Sequence, residues 1–386
     1  MSLTLPPLSL YIHVPWCVRK CPYCDFNSHK ADSILPEKDY IAALLDDLDN
    51  DLPWAQGRPI QSIFIGGGTP SLLSANAYET LFEGLKQRLE FTDNIEITLE
   101  ANPGTFEAQK FKDYRKLGIN RLSIGIQSFQ DHQLKHLGRI HSSEEALNAV
   151  QLAKDAGFDN FNLDFMHGLP DQTLEMALDD LKKAIALKPT HLSWYQLTIE
   201  PNTEYFKRPP ILPKDETLWA IQEAGQALLA QHGFKQYEIS AYAQEGRQAK
   251  HNINYWQFGD YLAIGAGAHG KITLLNEMDK ETQPFEIFRT AKTRLPKDYL
   301  NLAKRFLVSK NIIEPEDLDL EFLMNVLRLY DGVPNELFEM RTGVAFSRIK
   351  KAITKAQDDG LLEEGPYLKT TEKGQLFLNE LLERFL

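Results

Sequence analysis

The stretch "HVPWCVRKCPYCDFN", residues 13–27, holds Cys17, Cys21 and Cys24, and the other 371 positions of the 386-residue chain contain no cysteine. A Cys-x-x-x-Cys-x-x-Cys spacing places three soft thiolate ligands on one short loop, a set suited to an iron–sulfur cluster or to zinc. A four-iron cluster held by three protein thiolates keeps one iron open for an exogenous molecule. A structural zinc would need His29 as its fourth ligand. Zinc sites usually pair cysteines in two separated Cys-x-x-Cys halves, and no second half follows here. Trp16, Tyr23 and Phe26 flank the thiols and are expected to shield a redox centre from water. An odd, clustered set of cysteines is no disulfide framework, which points to a cytoplasmic chain with reduced thiols.

The apolar run "LSLYIHV" (8–14) leads straight into this loop, and similar runs recur at "SIFIGG" (62–67), "IEITLEA" (95–101), "RLSIGIQS" (121–128), "FNLDFMHG" (161–168) and "HLSWYQLTI" (191–199). Between them lie segments of helical period, such as Ile41, Leu44, Leu45, Leu48 and Leu52, or Leu174, Leu178, Leu181 and Ile185. Strands alternating with helices call for a parallel sheet, and six such units fall short of the eight of a complete TIM barrel. The expected fold is therefore α/β, a partial (β/α)6 barrel of the TIM type. The unusual residues gather at strand ends: "CVRKCPYC", "GGGTPS", "EANPG", "QSF" and "DFMHGLP". Ligands of parallel α/β folds sit at the carboxyl ends of strands, so five such endings point to one shared site. Taken singly, "GGGTPS" and "EANPG" are equally well explained as turn chemistry.

Composition narrows the function classes. Lys plus Arg total 42 against 54 Asp plus Glu, a net charge of −12, which argues against nucleic acid or an anionic membrane as partner. No apolar run approaches the roughly 20 residues of a membrane helix, and "MSLTLPPLSLYIHV" lacks the basic start of a signal peptide. The text at 271–297 is polar and aperiodic and reads as a connector between residues 1–270 and a smaller, mainly helical domain at 298–386. Residues 346–386 suggest helix, strand, a Gly365–Pro366 turn, strand and helix, a winged-helix outline. Residues 314–386 carry 15 acidic and 9 basic side chains, so this module fits a lid or protein contact better than DNA.

At the three-cysteine loop the chain resembles radical S-adenosylmethionine (SAM) proteins. The ordered set "YIHVPWCVRKCPYCDF", "FIGGGTPS", "EANPG", "GIQSF" and "NLDFMHGLP" resembles the oxygen-independent coproporphyrinogen III oxidase family over essentially the whole chain. The resemblance implies a 4Fe–4S cluster on Cys17, Cys21 and Cys24, with SAM chelating the open iron. It implies that Tyr11, Tyr23, Gly67, Gly68, Thr69, Glu100, Gln127, Arg139 and Asp164 contact one or two SAM molecules. Glycines allow close backbone approach, carboxylates suit an ammonium or ribose hydroxyls, and Arg139 suits a carboxylate. An ordinary ion pair between Asp164 and Arg139 is the alternative.

Two branches of that family compete. An oxidase would decarboxylate two propionates of coproporphyrinogen III; a heme-chaperone branch binds heme and passes it to acceptor proteins, membrane-associated ones among the possibilities. The oxidases carry a fourth cysteine where this chain has Phe26, and a longer segment than the ten residues before Tyr11. "HNINYW" (251–256) matches the His-Asn-x-x-Tyr-Trp heme signature of the chaperone branch. A neutral imidazole is a good axial ligand, and Tyr255 and Trp256 suit a flat macrocycle. His251 is therefore the expected heme ligand, against the alternative of a hydrogen-bonded structural histidine; His269 lies on a later glycine-rich segment, "GAGAHGK", that could close over the pocket, against the alternative of a satisfied core histidine. The expectation is a radical-SAM-type heme chaperone that no longer makes protoporphyrinogen, with an electron-transfer or scaffold protein that ignores SAM as a third reading.

Overall fold

The computed structural model describes residues 3–32, 34–105, 108–276, 285–301 and 303–386. The six expected strands form as β1 (Leu8–Val14), β2 (Ile60–Gly67), β3 (Phe91–Ala101), β4 (Arg121–Gln127), β5 (Phe161–His167) and β6 (His191–Gln196). They pair in parallel in chain order, so each connection must cross over the sheet, and helices fill these crossovers. The sheet continues past both ends. Beyond β6 lie the antiparallel strands β7 (Lys235–Glu238) and β8 (Ala241–Ala243), in the spatial order β6–β8–β7.

On the other side β9 (Asp260–Ile264) pairs in parallel with β1, a seventh parallel strand absent from the sequence reading. Its short run follows a helix and gives no period to read. It is joined by β10 (His269–Leu275), β11 (Phe285–Lys292) and β12 (Leu307–Ile312), all antiparallel. The stretch 271–297 is thus no plain connector. Its two arms pair residue for residue from His269↔Ala291 to Leu275↔Phe285, while residues 277–284 lie outside the described residues. Polar residues obscured these strands because Lys271 and Lys292 are buried with partners. Lys292 Nζ lies 2.6 Å from Asp47 and 2.8 Å from Asp51; Lys271 Nζ lies 2.9 Å from Asp260.

Helix α1 (Glu37–Asp51) buries Ile41, Leu44 and Leu48 against the sheet, the stripe expected of its period, and also the two aspartates that meet Lys292. A buried pair adds little net stability when intact but costs about 3–5 kcal/mol when one partner is removed. Helix α2 (Ala75–Arg88) starts at Ser74, whose hydroxyl accepts the Ala77 amide at 3.2 Å. This cap fixes where the glycine-rich loop ends. A second core cluster joins Phe258 and Ile287 of the barrel to Phe322, Phe338 and Ile353 of the C-terminal region. There the expected wing is reduced to one bridge, Leu362↔Thr370, and a two-residue strand, Tyr367–Leu368, which pairs with Val333–Pro334. Helices Glu336–Thr342 and Ser347–Asp358 surround it.

Candidate cofactor site at the carboxyl ends of the strands

The cysteine loop leaves β1 and is braced from two sides. Trp16 and Cys17 pair in parallel with His29 and Lys30, which returns the chain after the third cysteine. The loop after β2 then docks on it: the Gly68 amide donates to the Val14 carbonyl and the Thr69 amide to the Trp16 carbonyl, both at 2.7 Å. Only glycine allows this approach. A Cβ on Gly68 would lie 2.5 Å from the Trp16 carbonyl oxygen, and one on Gly67 would lie 2.6 Å from the His13 ring. Gly67 also has φ +115°, a conformation that side chains avoid. The glycine motif therefore serves loop-to-loop packing as well as any ligand.

The three thiols open on a cavity of about 460 Å³ lined also by Tyr23, Gly67, Gly68, Thr69, Glu100, Gln127, Arg139 and Asp164. Eight of the nine expected SAM residues thus meet around one space. The ninth, Tyr11, lines an adjoining cavity that shares Gly67 and Glu100 with the first. Every thiol has a polar neighbour: Thr69 Oγ1 lies 3.5 Å from Cys17, Arg139 Nη1 lies 3.8 Å from Cys21, and Ser28 Oγ lies 3.8 Å from Cys24. Arg139 is not paired with Asp164. Its Nη2 donates to the Gly125 carbonyl at 2.7 Å and to Asn102 Oδ1. Asp164 accepts from Ser123 Oγ at 2.8 Å and Asn162 Nδ2 at 2.7 Å.

Glu100 accepts the Gly67 amide at 3.0 Å, yet burial and the nearby Asp164 push its pKa up to about 8. Burial also raises Asp164, against the hydrogen bonds from Ser123 and Asn162. Two half-buried carboxyls face one cavity, and neither forms an ion pair among the described residues. Gln127 sits at φ +69°, where the β4–β5 register shifts, and its Oε1 accepts the Tyr195 hydroxyl at 3.0 Å. Asp180 holds the turn that follows by accepting from Ser128 Oγ at 2.6 Å and the Phe129 amide at 2.7 Å. Asn102 and Tyr195 escaped the sequence reading. Asn102 stands inside "EANPG", one of the strand endings expected at the shared site, but was not itself named there, whereas no local signal marks Tyr195.

The aromatic shield is only partly as expected. Tyr23 and Phe26 both line the cavity, Phe26 with 59% of its surface exposed, but Trp16 packs edge-on against Tyr40 at 4.6 Å in the core.

The Radical SAM superfamily profile matches residues 11–184, and the HemN C-terminal domain profile matches 313–377. Heme chaperone HemW of Escherichia coli (strain K12) is 54% identical over 383 residues, 99% of each chain. This chain belongs to the HemW family. HemW of Haemophilus influenzae is 55% identical over 387 residues, 99% of this chain and 98% of that one, and HemW of Bacillus subtilis is 32% identical over 391 residues, 98% and 99%. Among solved structures, coproporphyrinogen III oxidase (HemN) from Escherichia coli superposes with a TM-score of 0.81 over 99% of this chain and 90% of its own. At 22% identity that likeness shows the fold.

The radical SAM superfamily implies a 4Fe–4S cluster and SAM, and the donor set fits them. Three thiols share one loop, each beside a hydroxyl or guanidinium, while no three His, Cys, Asp or Glu among the described residues converge on one metal-ion position. His29, the fourth ligand of the zinc alternative, has its Nε2 3.3 Å from Asn27 Oδ1 instead.

HemW kinship directs attention to the two histidines. His251 lies in the first turn of the helix Lys250–Trp256 and is 5% exposed, with Nδ1 3.2 Å from Glu96 Oε1 and its ring flat on Phe64 at 4.3 Å and 10°. It lines neither cavity, so the structure gives it the place of a hydrogen-bonded structural histidine instead of the open ligand position expected. His269 does line the second cavity, of about 670 Å³, with Tyr255 and Trp256 of the "HNINYW" motif. No helix among the described residues is long and apolar enough to cross a membrane.

Proposed function

We propose that this chain is a heme chaperone that holds a 4Fe–4S cluster on Cys17, Cys21 and Cys24, binds SAM beside it and delivers heme to acceptor proteins. The observation that carries the cofactor reading is the cavity in which three thiols face two half-buried carboxyls that form no ion pair among the described residues. A ligand that brings its own positive charge relieves that burial, and SAM carries a sulfonium. When bound, the cluster and SAM supply one-electron chemistry. Arg139 is suited to a ligand carboxylate and Glu100 and Asp164 to cationic or hydroxyl groups, while Gly67 and Gly68 present no side chain against a ligand.

The heme part is supported by the HemW relatives, which match this chain from end to end. Carried over from them, the cargo is heme and the partners are heme-accepting proteins, for which the acidic C-terminal region offers a contact surface. Protein isolated and reconstituted without air tests the whole reading. Iron with matching acid-labile sulfide, hemin uptake with a shifted Soret band, and passage of that heme to an apo-acceptor are expected. Zinc without sulfide removes the cluster. Efficient conversion of coproporphyrinogen III with SAM and a reductant restores the oxidase. Failure of the reduced protein to cleave SAM into methionine and 5′-deoxyadenosine leaves the scaffold reading.

A further inference from the structure

We propose that the second cavity is the heme seat, with His269 as the iron ligand, Arg294 as a propionate partner and His251 as a positioning residue behind the wall. This rests on the heme-chaperone reading above and gives the heme its place.

The cavity's size, about 670 Å³, lies within the roughly 300–1,000 Å³ of small-molecule sites. Its walls suit a flat, apolar ring system. Tyr11 and Phe64 lie 25° from parallel with centroids 5.8 Å apart, and Tyr255 meets Tyr261 edge-on at 4.6 Å. The two histidines differ in what is left to bind iron. His269 is exposed at the start of β10 and makes no hydrogen bond among the described residues. Burial, then Arg294 and Arg289, lower its pKa, which keeps the imidazole neutral and its lone pair available. His251 has one ring nitrogen against Glu96 and one ring face against Phe64. Reaching a ligand in the cavity would break both contacts and leave Glu96 buried without its partner.

The "HNINYW" motif therefore contributes in two ways. Tyr255 and Trp256 are wall, while His251 fixes the plane of Phe64, which lies between it and Tyr11. Arg294 brings the charge a macrocycle with carboxylate arms needs, and its side chain forms no ion pair among the described residues. Asn27 ties this seat to the thiol loop by donating to the Ala266 and Arg294 carbonyls, both at 2.8 Å. Gly67 and Glu100 are common to both cavities, so occupancy of one bears on the other.

The test is titration of the full chain with hemin and, separately, with metal-free protoporphyrin IX, read by the Soret band and by the ferric EPR spectrum. The assignment expects His269→Ala to weaken hemin by about tenfold or more, as loss of a metal ligand or its support does. Protoporphyrin IX, which has no iron to ligate, should bind this variant as it binds the native chain. Millimolar imidazole should restore the native spectrum to His269→Gly, and Arg294→Gln should weaken both porphyrins a few-fold. His251→Ala should lower the melting temperature yet retain the histidine-ligated spectrum. A native spectrum and affinity in His269→Ala overturns the ligand assignment alone. So does loss of the histidine signature in a folded His251→Ala. A native chain that takes up neither porphyrin overturns the heme reading itself, and this inference with it.

Discussion

Thr69 Oγ1 accepts the Asn102 amide at 2.9 Å and turns its own hydroxyl to Cys17 Sγ at 3.5 Å. On its other side Asn102 accepts from Arg139, whose second nitrogen lies 3.8 Å from Cys21 Sγ. A single chain of polar groups therefore spans two of the three thiols, with Asn102 at its centre. Donors aimed at cluster sulfurs stabilise the added electron, and partners behind the ligands hold them in place. Asn102→Ala should therefore shift the cluster to a lower reduction potential and weaken cluster retention by about 10–100-fold, the usual effect of losing such a partner. Anaerobic redox titration together with iron loss to a chelator measures both. An unchanged potential would mean that the chain is only scaffolding.

Glu100 gives the ligand-free protein a definite pH dependence. Its carboxyl is pushed up to about 8 by burial and by Asp164, against an ordinary value of 4.5. The folded state thus holds a proton that the unfolded chain releases. Its contribution is fully present below 4.5 and is lost as pH rises through about 8. Thermal melts from pH 5 to 9 should show this decline, and Glu100→Gln should flatten it. A saturating cationic ligand in the thiol cavity should flatten it as well, because the ionised carboxylate then has a partner.

The Glu96–His251 pair runs in the opposite direction. Burial would raise Glu96, but His251, Arg121 and the Lys250 amide outweigh it and hold the carboxyl at about 2. That stability is present above 4.5 and is lost as pH falls through about 2. Burial lowers His251, so acid works against the folded state there too. His251→Ala takes away the partner of a buried carboxylate and the ring behind Phe64, at a cost of about 3–5 kcal/mol. Urea unfolding at pH 7 should show the loss, and His251→Gln, which can still donate to Glu96, should recover part of it.

The barrel was legible because its strands are continuous apolar runs and its helices keep a clean period. Leu8–Val14 forms over the expected residues, and Phe161–His167 ends one residue before the expected 161–168. Strands β9 to β11 were not, because buried charges interrupt them: Asp260 pairs with Arg58 at 2.6 Å and with Lys271, partners that sequence cannot supply. The thiols and Glu100 were visible as residue types in distinctive motifs, whereas Arg139 was expected only from the family resemblance. His251 shows the limit of that reading. The motif named the right helix, but whether its imidazole faces a cavity or a carboxylate depends on Glu96 on β3, 155 residues away in the chain.

Gly68 offers a test that separates the loop's packing from the fold. Its backbone does not require positive φ, so its size alone is at stake. An added methyl would meet the carbonyl oxygen, carbon and amide nitrogen of Trp16 at 2.5, 2.8 and 2.9 Å. Backbone atoms cannot swing away as a side-chain tip can, so the glycine loop must lift off the cysteine loop. Its amide bonds to Val14 and Trp16 stretch, and the Thr69 hydroxyl leaves Cys17. Overpacking of this kind costs about 1–3 kcal/mol, which a large barrel core survives. Gly68→Ala should therefore keep its circular dichroism spectrum while losing most reconstituted iron and sulfide. Gly157→Ala is the control: at φ +88° it is strained, yet its methyl has nothing within 4 Å. It should lose some stability and keep its cluster, so equal iron loss in both variants would trace the effect to stability alone and not to the docking of Gly68 on Trp16.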